Sequence, residues 1–300
     1  AQAPPITGST MTATPVLGAI EAGATKFRVA VMTQLLEIVE EERFATEDPE
    51  TTLEKTAAFF AGSRVTSLGI ACFGPVDLRP SSDTYGSLLA TPKPLWSGAP
   101  ILAPLREAVG VPTAIDTDVA AAALAEATVG AGEGMTTVCY ITVGTGIGGA
   151  AAVERSVLHG HGHAEFGHVP VARMPDDVFV GSCPFHGDCL EGMASGTAVD
   201  ARRAAGEEDP GQFVAEYLAQ LVQTLTYTLA PDLISFGGGV FNRAELLANV
   251  QAAATRRLAR YTTNDSIVEA MRHYVVRSSL GQDAGLLGAG ILALGADPGR

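Results

Sequence analysis

Four side chains of the types that bind zinc lie in one short segment of this chain: His168, Cys183, His186 and Cys189. Zinc in proteins takes four imidazole or thiolate donors in a tetrahedron, and a Cys-x2-His-x2-Cys run with a preceding histidine can surround one ion. The two cysteines could instead be small buried apolar side chains, but their spacing favours the metal. Because the protein supplies all four donors, the sequence predicts a closed structural site, with the chemistry beside the metal.

Three glycine-rich turns, each at the end of a predicted strand, could hold phosphate groups. They contain Gly23, Ala24, Thr25 and Lys26; Gly144, Thr145 and Gly146; and Gly237, Gly238 and Gly239. Backbone N–H groups can approach a phosphate where no Cβ intervenes. Each turn alone could equally close a hairpin or let a strand and a helix pack closely. The second turn returns into a strand where a dinucleotide-binding motif would open a helix, which disfavours a dehydrogenase.

The elements that must position these turns are strands alternating with helices. The pattern predicts strands at 16–20, 27–31, 68–73 and 113–116, helices at 51–60, 101–109 and 119–128, and later strands at 138–143 and 150–154. A long polar loop ends at Trp96, and loops of this length usually close over something. The later hairpin repeats the design of the first. The sequence therefore predicts a duplicated α/β unit with a nucleotide in the cleft between its halves.

Composition limits the partners. The formal net charge is -14, no cluster of Lys and Arg is present, and 47% of the residues are hydrophobic. Nucleic acid and anionic membranes are therefore disfavoured as partners, and the chain is expected to be globular. Cys72 and Cys139 lie in apolar predicted strands, which favours buried, reduced thiols. The sequence has no uninterrupted apolar run long enough to span a membrane. We expect a cytoplasmic protein in which residues 1–15 are a disordered tail or tag outside the fold.

With these motifs in this order, the chain resembles the ROK sugar kinases, and among them the zinc-containing bacterial fructokinases. The matching segments are 18–27, 73–77, 84–86, 91–94, 116–124, 144–148, 165–168, the zinc segment and 237–239. The resemblance implies an actin-like ATPase (ribonuclease H-like) α/β fold with two lobes. The first lobe would be 16–117, rejoined by a C-terminal helix at 284–297, and the second 118–283, with a zinc segment at 163–191. We also expect a homodimer.

The resemblance assigns roles to individual residues. Asp118 would be the base that accepts a proton from the sugar hydroxyl attacking the γ-phosphate of ATP, with Mg²⁺ and backbone amides neutralising charge. From the residues alone, Asp118 could instead be a helix N-cap. The sugar would contact Gly86, Thr117, Glu165, His168 and Glu191. ATP would contact the three glycine-rich turns together with Ser195 and Gly196.

Three positions depart from the family pattern, and some alternatives stay open. Glu21 stands where many relatives have Asp, Ala24 where many have Gly, and Ala120 where Asn is common. Arg202 and Arg203 could face nucleotide, although a solvated helix face is favoured. The Thr-Pro-Lys-Pro run at 91–94 favours fructose by resemblance, with glucose, mannose or N-acetylmannosamine as alternatives. A sugar-sensing regulator is disfavoured, since such relatives carry a DNA-binding segment ahead of the core.

Overall fold

Two five-stranded sheets of identical design form the frame of the molecule in this computed structural model, which describes residues 16–259 and 265–297. The strands of the first sheet are β1 (Val16–Ala22), β2 (Lys26–Thr33), β3 (Ile38–Ala45), β4 (Val65–Cys72) and β5 (Thr113–Thr117). Those of the second are β6 (Thr137–Val143), β7 (Ile147–Val153), β8 (Ser156–Val157), β9 (Leu233–Gly237) and β10 (Val275–Arg277). Tight turns containing glycine join nearly continuous buried apolar strands in the two hairpins.

The order of strands confirms the predicted duplication. The first sheet runs β3-β2-β1-β4-β5 and the second runs β8-β7-β6-β9-β10. In each, the three hairpin strands are antiparallel and the next two join in parallel. Strand β3 was not predicted, because it is an edge strand with mostly exposed side chains and a run of three glutamates. Strand β7 begins at Ile147, so the turn before it is shorter than expected.

Ten α-helices cover the sheets within the described residues. They are α1 (Pro49–Phe60), α2 (Leu102–Val109), α3 (Asp118–Val129), α4 (Leu190–Ala194), α5 (Gly196–Ala204), α6 (Gly211–Thr228), α7 (Ala244–Leu258), α8 (Asp265–Glu269), α9 (Met271–Tyr274) and α10 (Ala284–Leu294). None of these helices in the described part of the chain has both the length and the apolar character needed to cross a membrane. The C-terminal helix stops at Leu294, before the predicted residue 297, and residues 1–15 lie outside the described residues.

Helices α3 and α10 lie between the two sheets. Helix α10 packs on β1 and β4, α3 packs on β6 and β7, and the two helices pack on each other. Their approach is close: a Cβ at Gly288 of α10 would lie 2.0 Å from the carbonyl oxygen of Ala121 in α3. Small residues on both helices therefore let the two halves meet directly beneath the cleft.

Each sheet buries its outer face against further helices. Phe27, Leu53 and Trp96 belong to the core beneath the first sheet, and Leu218 and Phe236 to the core beneath the second. The Trp96 indole is fully buried and donates a hydrogen bond to the carbonyl oxygen of Glu47, at 2.8 Å. The long polar loop is thus anchored at its end in the core of the first half.

Candidate active site

A cavity of about 340 Å³ brings together side chains from both halves. Its lining includes Glu21, Lys26, Arg28, Asp118, Tyr140, Gly237, Gly238, Gly239, Ser278 and Gln282. These residues come from β1 and β2 of the first sheet, from α3, from the middle of β6, from the ends of β9 and β10, and from the segment just before α10. The structure therefore unites the predicted base with one predicted glycine turn and the lysine of another.

Asp118 is placed by the turn from β5 into α3. The hydroxyl of Thr117 accepts a hydrogen bond from the Ala120 N–H at 3.2 Å, so Thr117 is the N-cap and Asp118 the first helical residue. The alternative that Asp118 is the N-cap is wrong. Its Oδ1 accepts from the Val119 N–H at 2.8 Å. The carboxylate thus starts a rigid helix and is available to the cavity.

The surroundings of Asp118 favour a proton acceptor near neutral pH. Burial raises the pKa of the Asp118 carboxyl to about 7, the Val119 N–H opposes this, and the negative charges of Glu21 and Glu165 add to it. A general base is most effective when its pKa lies near the working pH. The electrostatics of the site therefore suit proton abstraction from a hydroxyl.

Arg28 links several acidic side chains beneath the cavity. A role for this residue was not predicted from the sequence. It is only 2% exposed and contacts the carboxylates of Glu21, Glu41 and Asp283 at 3.2, 3.0 and 2.7 Å. It also donates to the Gln282 carbonyl oxygen at 2.7 Å. Burial raises the pKa of Glu21, and the Arg28 charge opposes that rise. Arg28 therefore joins β1, β2 and β3 to the start of α10.

A second, more open cleft of about 500 Å³ shares Gly239 with the first. Its other walls include Gly144, Thr145, Gly196, Thr197 and Arg203. The N–H of Gly196 donates to the Gly144 carbonyl oxygen at 2.7 Å, so the start of α5 is fastened to the glycine turn. Ser195 is buried, and its hydroxyl caps α5 by accepting from the Ala198 N–H at 3.2 Å. Ser195 thus supports this wall.

The first glycine turn lies beside the cavity. The Gly23 N–H donates to the carbonyl oxygen of Lys26 at 3.0 Å, and a Cβ at Gly23 would lie 2.6 Å from that oxygen. Ala24 and Thr25 are exposed at the tip of the turn, and Lys26 lines the cavity. Contact of Gly23, Ala24 and Thr25 with ATP stays a prediction.

The four predicted zinc ligands converge. Their nearest ligand atoms all lie within 4.8 Å of one another. The Nδ1 atom of His168 lies 3.8 Å from Cys183 Sγ and 3.7 Å from Cys189 Sγ, and Cys183 Sγ lies 3.8 Å from His186 Nδ1. Ordinary zinc–ligand lengths in a tetrahedron give nitrogen–sulfur separations of about 3.6 Å. The donor set and its geometry therefore fit a tetrahedral zinc ion.

His168 connects this cluster to the glycine turn. Because its Nδ1 faces the thiols, its Nε2 is directed away, 4.0 Å from Glu191 Oε1. The other carboxylate oxygen of Glu191 accepts from the Ile147 N–H at 2.9 Å and lies against Gly146, where a Cβ would approach to 2.5 Å. Glu165 is half exposed in the same segment. The zinc segment thus places the Glu191 carboxylate and the His168 imidazole next to the 144–146 turn.

Gly86 and Arg202 occupy positions that the sequence did not suggest. Gly86 is buried with φ of 77°. A Cβ added there would lie 2.4 Å from Leu102, so Gly86 lets the polar loop pack against α2; a sugar contact there stays a prediction.

The expectation of a solvated helix face is wrong for Arg202. This residue is fully buried, and its guanidinium donates hydrogen bonds to the Asp177 carboxylate at 3.0 and 2.6 Å. Arg203 is exposed and lines the second cleft.

Comparisons with known proteins agree with this geometry. The model of the ROK family matches residues 17–296. A fructokinase of Zymomonas mobilis is 40% identical over 297 residues, covering 94% of this chain and 97% of that protein. A fructokinase of Lactococcus lactis subsp. cremoris is 39% identical over 251 residues, covering 81% and 86%. A ROK family glucokinase from Streptomyces griseus, solved with glucose and AMPPNP, has a TM-score of 0.74 at 26% identity, covering 93% and 99%.

Proposed function

This chain belongs to the ROK family, and from that premise we propose that it is an ATP-dependent fructokinase that converts D-fructose and ATP into D-fructose 6-phosphate and ADP. The observation that carries the proposal is the Asp118 carboxylate, which lines a cavity shared with Lys26 and the 237–239 glycine turn and has a pKa of about 7. The two relatives named fructokinase support fructose as the acceptor.

The chemistry that we propose is direct transfer of the γ-phosphoryl group. The sugar hydroxyl oxygen forms a bond to the γ-phosphorus, the bond to the β–γ bridging oxygen breaks, and ADP leaves. The hydroxyl proton passes to the Asp118 carboxylate. The transition state is loose, so positioning and charge neutralisation carry most of the catalysis. Lys26 and the backbone N–H groups of the glycine turns supply positive charge, and Mg²⁺ arriving with ATP would supply more.

The proposed ATP contacts follow the two connected clefts. They are Gly23, Ala24, Thr25 and Lys26, then Gly144, Thr145 and Gly146, then Ser195 and Gly196, and finally Gly237, Gly238 and Gly239. Support comes from Lys26, Gly144, Thr145, Gly196 and the 237–239 turn, which line these clefts. Ser195 also caps α5, and Gly146 lies against Glu191, so both residues are fixed beside the walls of the second cleft.

The sugar side is the zinc segment together with the start of α3. We propose that Thr117, Glu165, His168, Glu191 and the backbone at Gly86 face fructose. Zinc held by His168, Cys183, His186 and Cys189 would be structural, because four protein donors leave no position open for substrate. Its contribution is to fix the fold of the segment, and thereby the direction of the His168 ring.

The same proposal covers the organisation of the protein. We propose lobes of 16–117 with 284–297 and of 118–283, supported by the two sheets and by the packing of α10 on the first of them. A cytoplasmic location is supported by the two free buried thiols, Cys72 and Cys139, outside the zinc cluster. A homodimer stays a prediction, which sedimentation velocity of the purified chain would test.

The test is an ADP-release assay with MgATP against fructose, mannose, glucose and N-acetylmannosamine. We expect the highest kcat/KM on fructose, with Asp118→Asn at or below about one-hundredth of the wild-type rate. Asp176→Asn is the matched control, because Asp176 is exposed and lies outside both clefts. Preference for another sugar would overturn the substrate assignment. No turnover on any sugar by folded, zinc-loaded protein would overturn the kinase.

A further inference from the structure

The loop that follows β8 reaches across the cleft with two histidines. The Nε2 atom of His159 lies 2.7 Å from Oδ2 of Asp116, at the end of β5 in the first sheet. The Nε2 atom of His163 lies 3.3 Å from the backbone nitrogen of Val76, in the polar loop that follows β4. This loop, residues 158–165, therefore makes two polar contacts with the other half of the molecule.

The first contact leads to the proposed base. Asp116 is 6% exposed, and its Oδ1 accepts a hydrogen bond from the Thr117 N–H at 2.7 Å. Thr117 in turn caps α3, whose first residue is Asp118. Asp116 thus accepts from the Thr117 N–H with one oxygen and from the His159 ring with the other. The His159 imidazole therefore holds the Asp116 carboxylate, and that carboxylate orders the turn from β5 into α3. The hydrogen bond to Asp116 also raises the pKa of His159, while partial burial opposes that rise.

The second contact leads to a proposed sugar ligand. The Val76 N–H is a donor, so the Nε2 atom of His163 must be the acceptor and its proton sits on Nδ1. That Nδ1 lies 3.3 Å from Oε1 of Glu165. The imidazole therefore accepts from the polar loop on one side, which sets its tautomer. On the other side its Nδ1–H donates to the Ala164 carbonyl oxygen at 3.5 Å, with the Glu165 carboxylate beside it.

We propose that His159 and His163 are positioning residues for phosphoryl transfer: His159 fixes the turn that presents Asp118, and His163 fixes Glu165 toward the sugar. Neither histidine touches the reacting atoms; each acts through a carboxylate. This inference rests on the proposed function, because it takes Asp118 as the base and Glu165 as a sugar contact. Small displacements of a reacting group are costly, since catalysis depends on near-attack geometry.

His159 is tested by comparing His159→Gln with His159→Asn. Glutamine can place an amide N–H where Nε2 stands, whereas asparagine is too short to reach Asp116. We expect His159→Asn to lower kcat about 10-fold or more, while KM for ATP stays within about twofold and His159→Gln keeps kcat within about threefold of wild type. His161→Asn is the matched control, because His161 is exposed in the same loop and has no hydrogen bond among the described residues.

His163 is tested in the same assay with His163→Ala. We expect KM for fructose to rise about 10-fold, because Glu165 loses the polar ring that lies beside its carboxylate, with a smaller change in kcat. Zinc content measured by atomic absorption should stay at the wild-type value. If His163 had only a structural role, His163→Ala would instead reduce zinc content and raise KM for both substrates together.

Asp118→Asn is run in parallel to separate the two ideas. If Asp118→Asn is inactive and His159→Asn has the kcat of His161→Asn, the positioning role of His159 is refuted and the base assignment stands. Equal kcat values for His159→Gln and His159→Asn would also refute it. A KM for fructose in His163→Ala that matches wild type would refute the role of His163.

Discussion

The pKa of Asp118 predicts how the activity depends on pH. A base must be ionised to accept a proton, so kcat/KM rises as Asp118 loses its proton. With a pKa of about 7, about one-tenth of the molecules carry the ionised carboxylate at pH 6 and about nine-tenths at pH 8. We therefore expect kcat/KM for fructose to rise about tenfold between these values.

Glu21 provides the matched perturbation. Its negative charge is one of the groups that raise the pKa of Asp118. Glu21→Gln removes that charge, so the midpoint of the pH profile should move to lower pH. Glu54→Gln is the control, because Glu54 is exposed on α1 and does not line the cavity.

The assay measures initial rates by ADP release at a MgATP concentration well below its KM, so that the profile reports the enzyme without bound nucleotide. MgATP bound as proposed would add charge next to Asp118 and change its pKa. A kcat/KM that is flat from pH 6 to pH 8 would refute the link between burial and base strength. A midpoint that moves equally in Glu21→Gln and Glu54→Gln would refute the role assigned to the Glu21 charge.

Two further predictions concern the zinc segment. Cys183→Ser should lower zinc content and raise KM for fructose by about 10- to 100-fold, because His168 and Glu191 lose their support; an unchanged KM with zinc absent would contradict this. Asp177→Asn should lower the free energy of unfolding by about 3 to 5 kcal/mol, because it leaves the buried Arg202 without its bidentate partner. The measurement is urea unfolding, and an effect no larger than that of the exposed neighbour substitution Asp176→Asn would contradict it.

Short-range patterns predicted much of this molecule correctly. The zinc donors converge as their spacing indicated, because three of the four lie within seven residues of chain. The β1–β2 and β6–β7 hairpins form as predicted, because their turn chemistry is local. The ROK resemblance was confirmed by the family match over residues 17–296.

Features that depend on distant partners could not be predicted from local patterns. Arg202 is buried because Asp177 lies opposite it, and Arg28 is buried because Glu41 and Asp283 surround it. Neither partner can be identified from the spacing of charges along a helix or strand. The hydrogen bond between His159 and Asp116 likewise joins residues that are 43 positions apart in the sequence. Strand β3 was missed because its charged residues face solvent at the edge of the sheet.

The proton-accepting role of Asp118 is tested most directly by separating chemistry from binding in Asp118→Asn. Single-turnover phosphoryl transfer to fructose would be followed by rapid quench with enzyme in excess over MgATP, and the Kd for fructose by calorimetry. We expect a rate constant for Asp118→Asn about 10² to 10⁴ times below that of wild type, with a Kd for fructose within about threefold. A rate constant within about 10-fold of wild type would contradict it.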